Sequence, residues 1–381
     1  MPGGHKPPDE ISNTYLIITD CKINVNPVIW SCQNPEINRR NNMKTAVYLG
    51  KKSVEVREVP VPVPGPRDVV IRNIFSSICG TDAAVYTHGP GTGHRITVGG
   101  EFGHETVSVV SAIGYDVTDF RIGDRVYPYP LYAKNDTSRA GTLGGFSEYI
   151  LIPEAKPEHS LYPVPKEISD RLACLTEPFT VGCRAARRSQ PKAGERAVVF
   201  GAGTIGIAAA VALRFFGIDK VMICDLSELR LDIAAGLGFE VFNMRDEQNF
   251  LPKACKYFGE APSLTGKTAD IDIVLDAAGA PALLDLFFVH GKIESRFVSV
   301  AVNNTARSID LLHMTYAQQS IIGSGGYTPE DVRDVFRIME LEGAALETLI
   351  TNEYPLDDID TAIQRAADPE HALNVVINFS L

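Results

Sequence analysis

Residues 196–217, RAVVFGAGTIGIAAAVALRFFG, decide the architecture. Arg196–Phe200 reads as an apolar strand, and the residues from Thr204 onward read as a helix, with a glycine-rich turn between them. Downstream the same alternation repeats: KVMICD (220–225) as strand, SELRLDIAAGLG (227–238) as helix, DIDIVLDAAG (270–279) as strand. Strands and helices alternating at this spacing predict a parallel sheet covered by helices. Upstream, from Met43 to about Pro178, the pattern is different. Short β segments such as VVIRNIFSSI (69–78), ETVSVVSAIG (105–114), GDRVYPYP (123–130) and GGFSEYILIP (144–153) follow one another between Gly and Pro turns. Many short strands of this kind predict a β-rich barrel-like or sandwich-like domain. The chain ends in ALNVVINFS (372–380), a β segment able to return to that first domain. The expected organisation is therefore a β-rich domain, residues 43–180 and 325–381, with a helix-covered nucleotide domain, 181–324, inserted into it and a cleft between them. Residues 1–42, rich in Pro and Asn, read as a poorly ordered extension with at most a strand around Tyr15–Ile18, and MKTAVYLG from Met43 reads as the natural beginning.

The turn itself, Gly201-Ala202-Gly203-Thr204-Ile205-Gly206, is a G-x-G-x-x-G placed between strand and helix, the context that gives this short motif its meaning. Gly201 permits the tight turn, Gly203 lets the backbone approach a pyrophosphate, and Gly206 lets helix pack on strand. Amides at the helix start then face the phosphate charge. Asp225 ends the next strand, 19 residues after Gly206. A carboxylate there accepts ribose hydroxyls and repels a 2′-phosphate, which predicts NAD over NADP. Its competing role is to cap the next helix, with Ser227 as a rival cap. Arg230 also belongs to this set, as a side chain that can accommodate a 2′-phosphate.

Composition bounds the rest. The chain has 381 residues, 45% hydrophobic and 22% charged, a globular balance large enough for two domains. A net charge of −11 argues against nucleic acid and anionic membrane partners. Apolar stretches are interrupted well before about 18 positions, so no transmembrane helix is expected. Seven scattered cysteines, with no CxxC pair, disfavour a disulfide framework and fit a reducing cytoplasm. The N-terminus lacks the pattern of a secretory signal.

Two further motifs carry chemistry: Cys79-Gly80-Thr81-Asp82, and Gly99-Gly100-Glu101-Phe102-Gly103-His104-Glu105, with His104 25 residues after Cys79. Glu177-Pro178 forms a third piece. Thiolate, imidazole and carboxylate together suit zinc with one position left open, the mark of a catalytic rather than a structural site. Cys174, three residues before Glu177, reads as an inert core thiol.

At CGTD, GGEFGHE, GDRV, GGFSEY, EPFTVG and VVFGAGTIG, in this order, residues 43–381 resemble the medium-chain zinc-dependent alcohol and polyol dehydrogenases, the group of sorbitol, threonine and butanediol dehydrogenases. The resemblance implies an α/β fold: a GroES-like catalytic domain plus a Rossmann doubly wound nucleotide-binding domain. It implies Cys79 and His104 as zinc ligands. Glu105 either binds the metal directly or supports a ligand from behind, and Glu177 stands where the last ligand or its water-holding partner lies. Thr81 falls on the hydroxyl that relays the substrate proton, and Asp82 on a group that orients His104. Cofactor-binding positions are Gly201, Gly203, Thr204, Ile205, Gly206, Asp225 and Arg230. The partner is a small-molecule alcohol, and relatives are usually dimers or tetramers.

Two departures bear on this. Relatives often carry four cysteines for a structural zinc in the loop after GDRV, but residues 127–149 contain none, which predicts one zinc per chain. Many also have a histidine shortly after CGTD, where this chain has Ala83-Ala84-Val85-Tyr86. His88 and His94 nearby read as exposed loop residues. Tyr86 and Phe146 read either as pocket lining or as core. Arg184, Arg187, Arg188 and Lys192 read as a solvated basic face, and Gly323–Tyr327 as a hinge.

The expected function is hydride transfer between a secondary alcohol (a polyol, sugar alcohol or diol) and NAD. The alternatives are a dehydrogenase of simple alcohols or aldehydes, a zinc-free reductase of the same fold, and a nucleotide-binding protein without turnover.

Overall fold

The computed structural model describes residues 16–18, 21–23, 41–92, 95–134, 142–303 and 305–381. The chain divides into two compact units, residues 1–41 and 42–381. In the first, Leu16–Ile18 pairs antiparallel with Cys21–Ile23, which gives the strand expected near Tyr15–Ile18. The rest of that expectation lies outside the described residues.

The second unit is built on two principal sheets. One has six parallel strands in the spatial order Glu240–Asn243, Lys220–Asp225, Arg196–Phe200, Ile273–Asp276, Arg296–Ser299, Ser320–Gly323. Chain order reverses beside Arg196–Phe200, the doubly wound arrangement whose switch point lies at the glycine turn. The alternation of side chains across Arg196–Phe200 explains its continuous apolar run. Ala197 and Val199 join one core, with Ala208 and Val211 of the helix Thr204–Phe215, while Val198 and Phe200 join the core on the opposite face, with Phe250 and Phe287. A strand buried on both faces has no polar alternation to show.

The other principal sheet has seven strands. Six run in the order Leu161–Pro163, Arg125–Pro128, Glu105–Ile113, Val69–Ser77, Asn374–Asn378, Ile350–Tyr354, and Tyr149–Ile152 also pairs with Val69–Ser77. The C-terminal segment thus returns to the β-rich region, pairing antiparallel with Val69–Ser77 through Val376 and Ser77. A smaller sheet, Ser53–Pro60, Asn42–Gly50 and Gly100–Glu101, lies before and between these strands in the chain. Among the described residues no helix is long and apolar enough to cross a membrane.

Of the basic run, Arg188 and Lys192 are exposed as expected, but Arg184 and Arg187 on the helix Thr176–Arg188 are not solvated. Arg187 Nε bonds Asp331 Oδ1 at 2.7 Å, Arg187 also pairs with Glu330 at 3.1 Å and with Asp334, and Arg184 lies 3.6 Å from Asp331. Asp331 is 0% exposed and also accepts the amide and hydroxyl of Thr328 at the start of the helix Pro329–Leu346. The guanidinium therefore neutralises a buried capping carboxylate, which sequence spacing alone does not reveal. Removing one partner of a buried pair leaves the other charge desolvated. Arg187→Leu is expected to lower unfolding free energy by roughly 2 kcal/mol. Lys44→Leu, which breaks the exposed Lys44–Asp357 pair, should leave the denaturation midpoint close to wild type. Equal midpoints for the two variants in chemical denaturation would contradict this account.

Candidate active site

The two chemistry-bearing motifs meet because their strands pair. Val69–Ser77 and Glu105–Ile113 are antiparallel neighbours with Ser77 opposite Glu105. Cys79 follows the first strand and His104 precedes the second, so both arrive at one end of the pair. The ligand atoms of Cys79, His104 and Glu105 lie within 4.8 Å of one another.

Each side chain is fixed by local structure. Cys79 is the N-cap of the helix Gly80–His88. Its sulfur accepts from the Thr81 amide at 3.5 Å and from the Thr81 hydroxyl at 3.1 Å. Asp82 closes the capping box by accepting from the Cys79 amide at 3.1 Å. The other Asp82 oxygen faces His104 Nδ1 at 3.7 Å, and a carboxylate behind one ring nitrogen orients the imidazole. Glu177 sits in the first turn of Thr176–Arg188, where the helix dipole favours an acid. It is close enough to Glu105, Asp82 and Cys79 to interact with their charges, and the nearby Tyr327 hydroxyl acts to hold its carboxyl down.

This concentration of acids is costly as it stands. Asp82 is 1% exposed, Glu105 2% and His104 3%. Burial pushes the Cys79 thiol well up, and the charges of Glu105, Asp82 and Glu177 push it further, while the Thr81 hydroxyl pulls it down. Burial and then Glu105 push Asp82 and Glu177 well above the usual carboxylate range. Burial raises Glu105 too, opposed by bonds from Ser77 and Cys79. Glu105 Oε2 and Asp82 Oδ1 have no hydrogen-bond partner among the described residues. Buried carboxylates that raise one another and leave oxygens unbonded become satisfied when a cation is added. One thiol, one imidazole and one carboxylate at this spacing form a zinc-type donor set with room for a further ligand.

Other residues singled out from sequence fall elsewhere. Cys174 is buried, with its thiol on Arg171 O at 3.1 Å, outside the ligand group. Tyr86 and Phe146 are core residues of one cluster. The Tyr86 hydroxyl donates to Asp360 at 2.8 Å. His88 is exposed at the helix end, and His94 lies outside the described residues. Conversely, Tyr327, read as part of a hinge, reaches the site. Its hydroxyl bonds that of Tyr127 and lies near Glu177, and its ring stacks on Tyr129 at 4.4 Å.

The glycine turn makes a second cradle. Gly201 has φ +104°, and a Cβ there would sit 2.9 Å from Ala277 C. At Gly206 a Cβ would lie 1.8 Å from Gly201 O, so no larger residue fits this strand-to-helix approach. Gly203 is the N-cap of Thr204–Phe215, and no side chain caps that helix start among the described residues, which leaves amides for an anion. Asp225 Oδ2 accepts from Ala202 N at 2.6 Å, and Oδ1 accepts from Leu226 and Ser227 amides at 2.7 and 2.8 Å. Ser227 is the residue that caps Glu228–Gly236. Asp225 thus ties the glycine turn to the following loop and borders a cavity of about 460 Å³, lined also by Gly201, Leu226, Met244, Leu283 and Glu370. That volume suits a nucleoside-sized ligand. Arg230 turns to Ala372 O at 3.3 Å, and burial lowers its pKa.

Two family models match the chain: the alcohol dehydrogenase GroES-like domain over residues 65–166 and zinc-binding dehydrogenase over 204–340. A putative D-xylulose reductase of Agrobacterium fabrum is 34% identical over 266 residues, 64% of this chain and 73% of that protein. An L-threonine 3-dehydrogenase of Edwardsiella ictaluri is 29% identical over 87% of this chain and 97% of its own. The crystal structure of 2R,3R-butanediol dehydrogenase from Bacillus subtilis shares the fold, with a TM-score of 0.76 and 24% identity over 88% of this chain and 99% of that one. On this domain pair, in this order along the chain, and on the level of identity to its relatives, the chain belongs to the medium-chain zinc-dependent alcohol and polyol dehydrogenases.

Proposed function

We propose that the protein oxidises a secondary alcohol of the polyol, sugar-alcohol or diol class with NAD as hydride acceptor, using one catalytic zinc per chain and no structural zinc. The observation that carries this reading is the group of half-buried Cys79 with buried His104 and Glu105, with Glu177 beside it, in a chain that also holds the Gly201–Gly206 cradle. Residues 43–180 and 325–381 would form the catalytic domain and 181–324 the nucleotide domain. Names of relatives, xylulose and butanediol among them, support a substrate with several hydroxyls, and a carboxylate-rich pocket suits their donors.

Cys79, His104 and Glu105 would hold the metal, with Glu177 as a fourth ligand or as the acceptor for a water. When bound, zinc supplies the Lewis acidity that acidifies a hydroxyl, and the nicotinamide supplies the hydride acceptor. Asp82 keeps the His104 ring oriented. Thr81 Oγ1, 3.1 Å from Cys79 Sγ and half-buried, accepts the hydroxyl proton and passes its own onward. Asp225 would take the adenosine ribose and repel a 2′-phosphate. Arg230, turned to the Ala372 carbonyl, and Arg245, paired with Glu370 at 2.6 Å, already have acceptors. The free thiols Cys79, Cys174, Cys183, Cys224 and Cys255 suit a reducing cytoplasm, which cell fractionation checks.

We also infer a homodimer or homotetramer. Ser320–Gly323 is the edge of the six-stranded sheet, and Leu311, Leu312 and Tyr316 on the preceding helix are exposed. An open edge beside exposed apolar residues is a self-pairing surface.

Four measurements test these readings. Elemental analysis should give one zinc per chain. Cys79→Ala and His104→Ala should reduce zinc to trace and abolish polyol-dependent NAD reduction. Thr81→Ala should keep zinc while kcat falls by about 10²–10⁴; a fully active Thr81→Ala enzyme overturns the relay. The wild type should prefer NAD to NADP by about 100-fold in kcat/KM, and Asp225→Ser should narrow that ratio; a preference for NADP sinks the ribose assignment. Leu312→Glu with Tyr316→Glu should shift the sedimentation coefficient to that of a monomer, and an unchanged value would place the interface elsewhere.

A further inference from the structure

Asn374 opens the last strand, Asn374–Asn378, and is 5% exposed. Its amide nitrogen donates to Thr204 Oγ1 at 3.1 Å and to Ser77 Oγ at 2.9 Å. An asparagine NH₂ has two protons, so both bonds form at once. Thr204 is the first residue of the helix that leaves the glycine turn. Ser77 lies opposite Glu105 in the strand pairing, so the two side chains share a face, and the Ser77 hydroxyl acts to hold the Glu105 carboxyl down. Ser77 Oγ is also 3.3 Å from Asn374 Oδ1, but a hydroxyl has one proton and a carboxylate is the stronger acceptor.

With the Ser77 proton turned to the carboxylate it faces, the donors run in one direction: Asn374 N–H to Ser77, Ser77 O–H to Glu105. On the other side Thr204 accepts from Asn374 and keeps its own proton for a ligand. Two side chains, Asn374 and Ser77, thus span from the nucleotide turn to a member of the metal group. A ligand that takes the Thr204 proton makes Thr204 Oγ1 a better acceptor and fixes Asn374. A cation on Glu105 fixes the carboxylate that Ser77 serves. Each event orders the chain of bonds that the other needs.

We propose that Asn374 is a positioning residue that couples the nucleotide turn to Glu105, so that NAD and zinc each tighten the binding of the other through the Thr204–Asn374–Ser77–Glu105 bridge. This rests on the assignment of zinc and NAD under Proposed function. The coupling is reciprocal by thermodynamic necessity.

The test is calorimetric titration of the full chain with NAD, zinc-loaded and chelator-stripped, in wild type, Asn374→Ala, Ser77→Ala and the double variant. Zinc should tighten NAD binding in the wild type by about tenfold, a typical coupling between sites. That ratio should shrink toward one in Asn374→Ala and equally in Ser77→Ala, while zinc content stays at one per chain. The double variant should show no further loss, because both substitutions cut the same bridge. Direct charge effects of the metal on the cofactor survive these substitutions, so only the part lost reports the bridge. If Asn374→Ala does not fold, Ser77→Ala, which removes a single hydroxyl, carries the test. Wild-type ratios in variants that bind both NAD and zinc overturn the coupling and leave the proposed function standing. A wild type that binds neither ligand overturns both.

Discussion

The antiparallel register of Val69–Ser77 against Glu105–Ile113 is the constraint on which the site depends. Side chains alternate along a strand, so a slip of one residue would turn Glu105 to the opposite face and carry His104 away from Cys79. The register is held on both sides. Val376 pairs with Ser77 from one neighbouring strand, and Ser108 pairs with Val126 from the other. Buried polar bonds reinforce it: Ser76 donates to Glu105 O at 2.9 Å, and Ser108 donates to Asn73 Oδ1 at 2.7 Å. A central strand pair with cross-strand side-chain bonds is a rigid place to mount a ligand set, and ligand sets tolerate only small displacements.

That rigidity carries a cost. Cys79, Asp82, Glu105 and Glu177 are held close in a region where burial disfavours every one of their charged forms. Folding without a cation leaves these groups protonated or mutually repelled. The sheet and the helix Gly80–His88 supply the compensation. The capping bonds around Cys79 and Asp82 are local and independent of any metal, so the site is shaped before it is filled. Tyr327, stacked on Tyr129 and bonded to Tyr127, is held beside Glu177 from outside the sheet.

The fold was legible where chemistry is local. The strand–glycine–helix run at 196–217 determines its own geometry, because Gly201 and Gly206 allow contacts that no larger residue can make. The meeting of Cys79 with His104 and Glu105 was legible through the family resemblance those motifs carry, while the strand pairing that brings them together was not. What could not be read depends on long-range packing. Nothing near Tyr327 in the sequence announces Glu177, 150 residues away. Arg184 and Arg187 look like a surface charge run until the helix Pro329–Leu346 brings Asp331 against them. Tyr86 could be pocket or core until Asp360 supplies its acceptor.

The C-terminal return explains why the last residues matter to both halves. A chain that leaves the β-rich sheet, builds the parallel sheet and comes back must end near the junction of the two. Pro369 and Glu370 border the nucleotide cavity, and Pro369 O accepts from Ser227 Oγ at 2.7 Å. Ala372 O takes Arg230, the residue after next takes Thr204 and Ser77, and the strand then joins Val69–Ser77. Backbone carbonyls at 369 and 372 thus meet the nucleotide side, while strand pairing from 376 is fixed to the metal side. A short segment anchored at both ends transmits displacement poorly through a flexible link but well through ordered hydrogen bonds. Its position, rather than any single contact, is what places Asn374 between the two sites.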